Sequence, residues 1–411
     1  MTRRAVVTGI GVVAATGVGS EAHWAATTAG RSGIRRITRF DPARYATQLA
    51  GEAADFRAED FIEQRLIVQT DRWTWMDLAA TRLALDDAGF DPAGADPYAM
   101  SAITASASGG NEFGQREIQN LWGKGPLFVG AYQSIAWFYA ASTGQISIRH
   151  GLKGPNGVVV AEGAGGLAAL WESRRTIRRG SDVVVGGGSD APITPYALVC
   201  QMQSGRLSAG ADPATAYRPF DAGATGYVPG EGGAILLIEE LTHAQARGAR
   251  IYGEIAGYGA THDGHHPADF PPDGEQFARA ISLALASAGL GPEDIDVIFA
   301  DAAGTPQGDA REAEAIRSVF GDRAGAIPVT APKTMTGRLA AGGGALDAAT
   351  ALLAMRGGLI PPTVGLTEPA PGCELNIVTG AAQPATLNTV LLAARGFGGF
   401  NSALVLRRYA G

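Results

Sequence analysis

Short apolar runs of strand-forming residues alternate with longer alanine-rich helical runs along all 411 residues, and no other feature constrains the fold as tightly. Strand-like runs fall at 5–8, 101–105, 157–161, 182–186 and 234–239, then at 251–257, 297–300, 376–378, 389–394 and 402–406. Helical patterns cover 71–88, 165–178, 274–288, 309–320 and 346–356. This alternation predicts an α/β protein with largely parallel sheets covered on both faces. In 71–88, Met76, Ala79, Ala80, Leu83 and Ala84 recur at helical spacing. In 346–356, Ala349, Leu352, Leu353 and Met355 make the helix apolar nearly all round, as a helix buried between layers would be. The style changes near 240–250, where a strand ending ILLIEE gives way to the charged segment THAQARGAR and then to IYGEIAGYG. That break divides the chain into halves 1–245 and 246–411.

Several function classes are excluded early. The formal net charge of −7 argues against a general nucleic-acid surface. No apolar run is long enough to span a bilayer. Arg3 and Arg4 precede an apolar stretch, as in a signal peptide, but 5–7 is β-rich and Gly9, Gly11, Gly17 and Gly19 are expected to break the stretch into turns. Cys200 and Cys373 define neither a disulfide framework nor a zinc spacing, which fits a reducing, cytoplasmic setting.

Four local patterns invite chemistry. Gly9–Ala14, GIGVVA, has the form of a dinucleotide fingerprint. The acidic residue expected some 20 positions later is missing, with Arg35 and Arg36 nearby, so a tight turn without a ligand is expected. His262, His265 and His266 stand in THDGHHP among Gly and Pro residues, which predicts a solvated loop rather than a metal site. Cys200 and Cys373 lack the electropositive niche of a reactive thiolate, and both are expected to be structural. The strongest pattern is GVVVAEGAGGLAALWESRR, a strand, a turn of small residues and an amphipathic helix. Acyl-transfer enzymes present a nucleophile at such a turn, where free N–H groups of the helix can hold an oxyanion. Here the turn holds Gly163, Ala164, Gly165 and Gly166, with no Ser, Cys or Thr.

With these residues in view, the chain resembles the β-ketoacyl synthases of the thiolase superfamily. The resemblance runs through VVTGIGVVAATGVG, RPFDAGATGYVPGEGG, DAAGTPQGDAREAEAI, PKTMTGRLAAGGGALDAATALLAM and ARGFGGFNSALVL. It implies a thiolase-like fold of two duplicated α/β halves in α-β-α-β-α layers. Active members use a Cys, two His and a Lys. The Cys maps onto Gly163, the His of H-G-T-x-T-P onto Asp301, and the His of K-x-x-x-G-H onto Arg338, while Lys333 is kept. Glycine is no nucleophile, and Asp and Arg cannot replace two neutral imidazoles. The pattern is similar to one subfamily in particular, the chain length factor or ketosynthase beta. That subfamily commonly carries Gln where this chain has Gly163, so a priming role for that side chain is not expected here.

The resemblance implies further expectations. The partners are an active ketosynthase alpha, forming a heterodimer, and acyl carrier protein bearing malonyl and polyketide chains, with no cofactor, metal, nucleic acid or membrane involved. A divergent synthase active as a homodimer is the competing reading. The tunnel-gating helix corresponds to 109–122, with gates at Asn111, Gly114 and Ile118, spaced to share one helical face. Small or medium gates imply a deep tunnel and a long chain. Asp301 and Arg338 are expected to pair beside a vacated pocket, and residues 158–161 to form the interface strand, with Trp137, Phe138 and Tyr139 nearby.

Overall fold

The computed structural model describes residues 3–411. Five strands of the first half are β1 (Ala5–Ala14), β2 (Met100–Ala105), β3 (Gly157–Val159), β4 (Val183–Asp190) and β5 (Gly232–Glu240). Five of the second are β6 (Gly253–His262), β7 (Val297–Phe299), β8 (Pro328–Thr330), β9 (Thr389–Gly396) and β10 (Phe400–Arg407). The spatial orders are β3-β2-β4-β5-β1 and β8-β7-β9-β10-β6, the same path twice. Orientation repeats as well. In each half two pairings are parallel (β2 with β3 and β4; β7 with β8 and β9) and two are antiparallel (β5 with β4 and β1; β10 with β9 and β6). The sheets are therefore mixed, not largely parallel as the alternation alone predicts. They join where Val6 and Val7 of β1 pair with Glu254 and Gly253 of β6.

Strand period 2 sorts side chains into layers. Val184, Leu236, Ile238, Val297, Phe299, Val390, Leu392, Leu404 and Leu406 point into a shared central core with helices α4 (Gly165–Arg178) and α8 (Ala341–Gly357). Their alternates Val183, Val185, Ile235 and Leu237 face helices α1 (Arg72–Ala88) and α3 (Ala141–His150). Ile298, Leu391, Ala403 and Val405 face α6 (Glu275–Ala288) and α7 (Pro306–Phe320). The result is the five-layered α-β-α-β-α stack. Each large apolar side chain fully buried there contributes about 1.5–3 kcal/mol. As its composition requires, α8 is buried along nearly its whole length.

The stretch Gly9–Ala14 is strand, not turn. A Cβ at Gly9 would lie 2.1 Å from the Ala84 carbonyl oxygen, and one at Gly11 would lie 1.8 Å from that of Ala80. These glycines let α1 press against the backbone of β1, so the GIGVVA pattern records close packing rather than a ligand. Helix α1 begins at the capping carboxylate of Asp71, which accepts from Trp73 N at 3.3 Å and from Phe113 N at 2.7 Å. The second bond fixes the start of α2 (Asn111–Lys124). No helix is long and apolar enough to cross a membrane among the described residues.

Candidate functional site

β3 leads through a 3-10 turn, Glu162–Ala164, into α4. Glu162 takes φ 46° there, a conformation L residues adopt only under constraint. The elbow of an acyl-transfer site is thus present, with Gly163 at its apex. The space a nucleophile would occupy is closed. A Cβ at Gly163 would stand 2.5 Å from the Arg395 carbonyl oxygen and 3.2 Å from Arg338 Nη2.

Arg338 fills this position. Its Nη2 donates to Asp301 Oδ1 at 2.8 Å and to the Arg395 carbonyl at 2.7 Å, and its Nη1 donates to the Asp301 carbonyl at 3.1 Å. Asp301 Oδ1 also accepts Arg395 N at 2.8 Å. Burial opposes the Asp301 charge, but the Arg338 and Lys333 cations outweigh it and hold the carboxyl below its usual range. Burial likewise opposes the Arg338 charge, and Asp301, Tyr217 and Glu162 hold it well above the usual value. Both groups are therefore ionised. Lys333 pairs with Asp347 at 2.7 Å and donates to the Ala300 carbonyl at 2.6 Å. Burial, reinforced by the Asp301 charge, pushes Glu312 up to about 8, and its carboxyl accepts Asp301 N and Ala302 N, each at 2.7 Å.

The expected vacated pocket is consequently a void of only about 20 Å³, lined by Gly163, Asp301, Lys333, Arg338 and buried His23 among others. Two N–H groups beside the elbow are engaged: Phe397 N donates to Glu162 Oε2 at 2.9 Å and Ala164 N to the Ala161 carbonyl at 3.1 Å. This constellation offers no nucleophile at the elbow, and the His23 imidazole, which burial keeps neutral, has its two nitrogens bonded to Thr16 Oγ1 at 2.7 Å and Thr350 Oγ1 at 2.9 Å.

Beside it lies a cavity of about 340 Å³, bounded by Ser108, Asn111, Glu162, Tyr196, Cys200 and Tyr227. It shares Arg206, Tyr227 and Phe397 with a second water-sized void at the mouth of the closed site. Asp190 ties the wall of the open cavity to the closed centre. It accepts from Ala107 N, Ser108 N and both Ser106 and Ser108 hydroxyls, and from Ala341 N at the start of α8. Of the three expected gates, only Asn111 bounds this cavity. Gly114 is buried under Trp137, whose indole nitrogen would lie 3.6 Å from a Cβ there. Ile118 is 47% exposed, beyond the cavity floor. The common helical face therefore serves three different surroundings.

Cys200 is not structural in the packing sense: it is exposed on helix α5 (Pro195–Met202) and faces the cavity one turn from Tyr196. The spacing of four in PYALVC was the available signal for this wall. Cys373 is buried, and burial pushes its thiol up to about 11. His262 ends β6 and packs edge-on against Phe400, while His265 and His266 are exposed in the loop beyond it. No group of three or more metal-ligating side chains occurs among the described residues.

A second surface adjoins the site. β3 is the edge strand of its sheet and, among the described residues, pairs with no strand but β2. Near it in sequence the large apolar residues Trp122, Leu127, Phe128, Trp137, Phe138 and Tyr139 are exposed, Leu127 to 96%. A solitary protein seldom leaves this much aromatic surface in water.

Residues 2–244 match the family described as Beta-ketoacyl synthase, N-terminal domain, and residues 252–367 match Beta-ketoacyl synthase, C-terminal domain. The chain belongs to the β-ketoacyl synthase family. Among its relatives is the tetracenomycin polyketide synthase ketoacyl synthase beta subunit of Streptomyces glaucescens, 53% identical over 98% of both chains. The 3-oxoacyl-[acyl-carrier-protein] synthase 2 of Staphylococcus aureus is 36% identical over 99% of both. The ishigamide ketosynthase/chain length factor has a TM-score of 0.93 at 32% identity, covering all of both chains. A type II polyketide synthase acyl-carrier protein in complex with its ketosynthase bound to the hexaketide gives 0.91 at 28%, again over the full length of both. Within the family, the chain falls with the ketosynthase beta subunits, the chain length factors.

Proposed function

We propose that this chain is the non-catalytic chain length factor of a type II polyketide ketosynthase. It pairs with an active ketosynthase alpha, and the pair elongates poly-β-keto chains on acyl carrier protein from malonyl units. The observation that carries this reading is the placement of Arg338 against Gly163, which removes the nucleophile and closes its space while the neighbouring cavity stays open. Decarboxylation and condensation need a thiolate and neutral donors, and Asp301, Lys333 and Arg338 are instead locked in ion pairs. The subunit therefore contributes walls, not chemistry. The edge strand β3 and the exposed aromatic surface support a large apolar partner interface. Asn111, Gly114 and Ile118 are the proposed gates: Asn111 acts directly, Gly114 through the seat of Trp137, and Ile118 at the partner face. The functional halves divide at 245/246, between β5 and β6, and two unbridged cysteines suit a cytoplasmic setting.

The test is purification with and without a ketosynthase alpha, with each preparation assayed on malonyl-loaded acyl carrier protein. Polyketide forms only when both subunits are present, and Asn111→Phe or Gly114→Phe in the pair shortens the product. Condensation by this chain alone overturns the reading in favour of an autonomous synthase. Unchanged product length in both variants overturns the gate assignment while leaving the pairing intact.

A further inference from the structure

We propose that the void at the mouth of the closed site binds a small inorganic anion of chloride or bromide size. The void measures about 20 Å³ and is lined by three arginines, Arg206, Arg338 and Arg395, and by the carboxylates of Asp263 and Asp301, with exposed Asp269 at its edge. That is room for one water-sized body and excludes an organic ligand. Three guanidinium groups converge on it. Arg338 pairs with Asp301 at 2.8 Å and Arg395 with Asp263 at 3.2 Å. Arg206 forms no ion pair among the described residues; it is clamped between the rings of Phe270 and Phe397, at 4.2 Å and 4.6 Å from their centroids. A clamped cation is already ordered for an anion and gives up little freedom on binding it.

The decisive observation is a pair of buried N–H donors that no protein group accepts, Arg338 Nε and Arg395 Nη1, on two residues that line this void. Leaving such donors unmet is costly, and it marks a missing acceptor. A water would bring two hydrogens that need acceptors of their own. Asp301 accepts from Arg338 and Arg395 N, and Asp263 accepts from Arg395 and from Asn401 Nδ2 at 2.6 Å, while Asp269 stands at the solvent-exposed edge. A monatomic anion only accepts, so it satisfies both donors and faces Arg206 without adding donors of its own. The site does not depend on the functional reading above and can fail independently of it.

Crystals of the full chain, in whatever assembly it purifies, are grown in sodium bromide and measured at the bromine absorption edge. An anomalous peak among Arg206, Arg338 and Arg395 is expected. In solution, bromide titrated at constant ionic strength against gluconate raises Tm by about 1–2 °C per tenfold once the site begins to fill. Arg206→Gln abolishes that rise. A peak with ordinary water density and no anomalous signal overturns the proposal. So does a peak seen only at molar bromide with no Tm response, which is binding at crystal concentration only. Should Arg206→Gln not fold, the wild-type anomalous peak and titration decide the matter.

Discussion

The closed centre and the open cavity meet at Ala340, yet their contents are opposite. In the centre Asp301, Lys333 and Arg338 are paired and packed, with Gly163, around a void of about 20 Å³. In the cavity some 340 Å³ stays open. A site that had merely lost its nucleophile would be expected to leave a hole, because a deleted side chain is rarely refilled by relaxation alone. Here a guanidinium occupies the hole and a carboxylate neutralises it. The difference separates two regions of one scaffold, a centre filled by an ion pair and a cavity left open beside it.

The largest way to break this comparison is to remove one charge from the centre. Asp301→Ala leaves the Arg338 guanidinium buried without its counterion, and about 3–5 kcal/mol of stability is lost in urea unfolding. The double variant Asp301→Leu with Arg338→Met recovers most of it. A loss under about 1 kcal/mol from the single variant would mean that the pair is not the element holding the centre shut. Next in size is Gly163→Cys, which restores the missing thiol. Its Cβ meets the Arg395 carbonyl oxygen at 2.5 Å, so the backbone must shift, at about 1–3 kcal/mol. No condensation results, because Asp301 and Arg338 still replace the imidazoles. Turnover by that variant would show the centre to be dormant rather than dismantled.

The same contrast governs how far the two regions were legible in sequence. The centre was readable through the family resemblance, which maps Gly163, Asp301 and Arg338 onto lost groups and Lys333 onto a kept one. Their consequence, a filled pocket, was not readable, since it depends on where the Arg338 side chain reaches. The strand–turn–helix order and the buried α8 were legible from periodicity. The path of β1 through Gly9 and Gly11 was not, because its cause is a helix some 70 residues away pressing on the backbone. The cavity was hardest. Tyr196 and Cys200 reach it from α5, Arg206 and Tyr227 from the loops beyond, and the helical spacing of Asn111, Gly114 and Ile118 gave one face but not its three neighbourhoods.

A gentler test uses pH. Beneath both regions, Asp77 on α1 is fully buried, and burial, aided by the nearby Asp190 charge and opposed by the Ser142 and Ser189 hydroxyls, pushes it up to about 8. The folded protein therefore keeps a proton that the unfolded chain releases near pH 4. The associated stability is complete below pH 4 and is lost as pH rises towards 8. Unfolding free energy should fall across that window by up to about 1.4 kcal/mol per pH unit from this group. Asp77→Asn flattens the profile, and equal slopes in the two proteins would place the proton elsewhere. Because Asp190 carries the bonds that join the cavity wall to α8, the alkaline loss should loosen both regions together, and hydrogen exchange at Ala107 and Ala341 should accelerate in parallel.

The smallest expected effect probes strain that the centre keeps without any chemistry to use it. Glu162, Ala302 and Ala340, all beside the closed site, have positive φ, and Ala340 stands at φ 48° and ψ −127°. Such a conformation costs an L residue about 1–3 kcal/mol, and strain of this kind is usually held at sites that exploit it. Ala340→Gly relieves it but adds about 0.5–1 kcal/mol of chain entropy to the unfolded state. The net expectation is a gain of about 0.5–1 kcal/mol in urea unfolding, with product length unchanged in the assembled pair. A loss of stability would show that the methyl of Ala340, a residue lining both the closed centre and the open cavity, packs more strongly than its backbone strains. A gain in stability joined to a longer product would place Ala340 on the cavity's working wall, and the boundary between the two regions would then run through this residue rather than beside it.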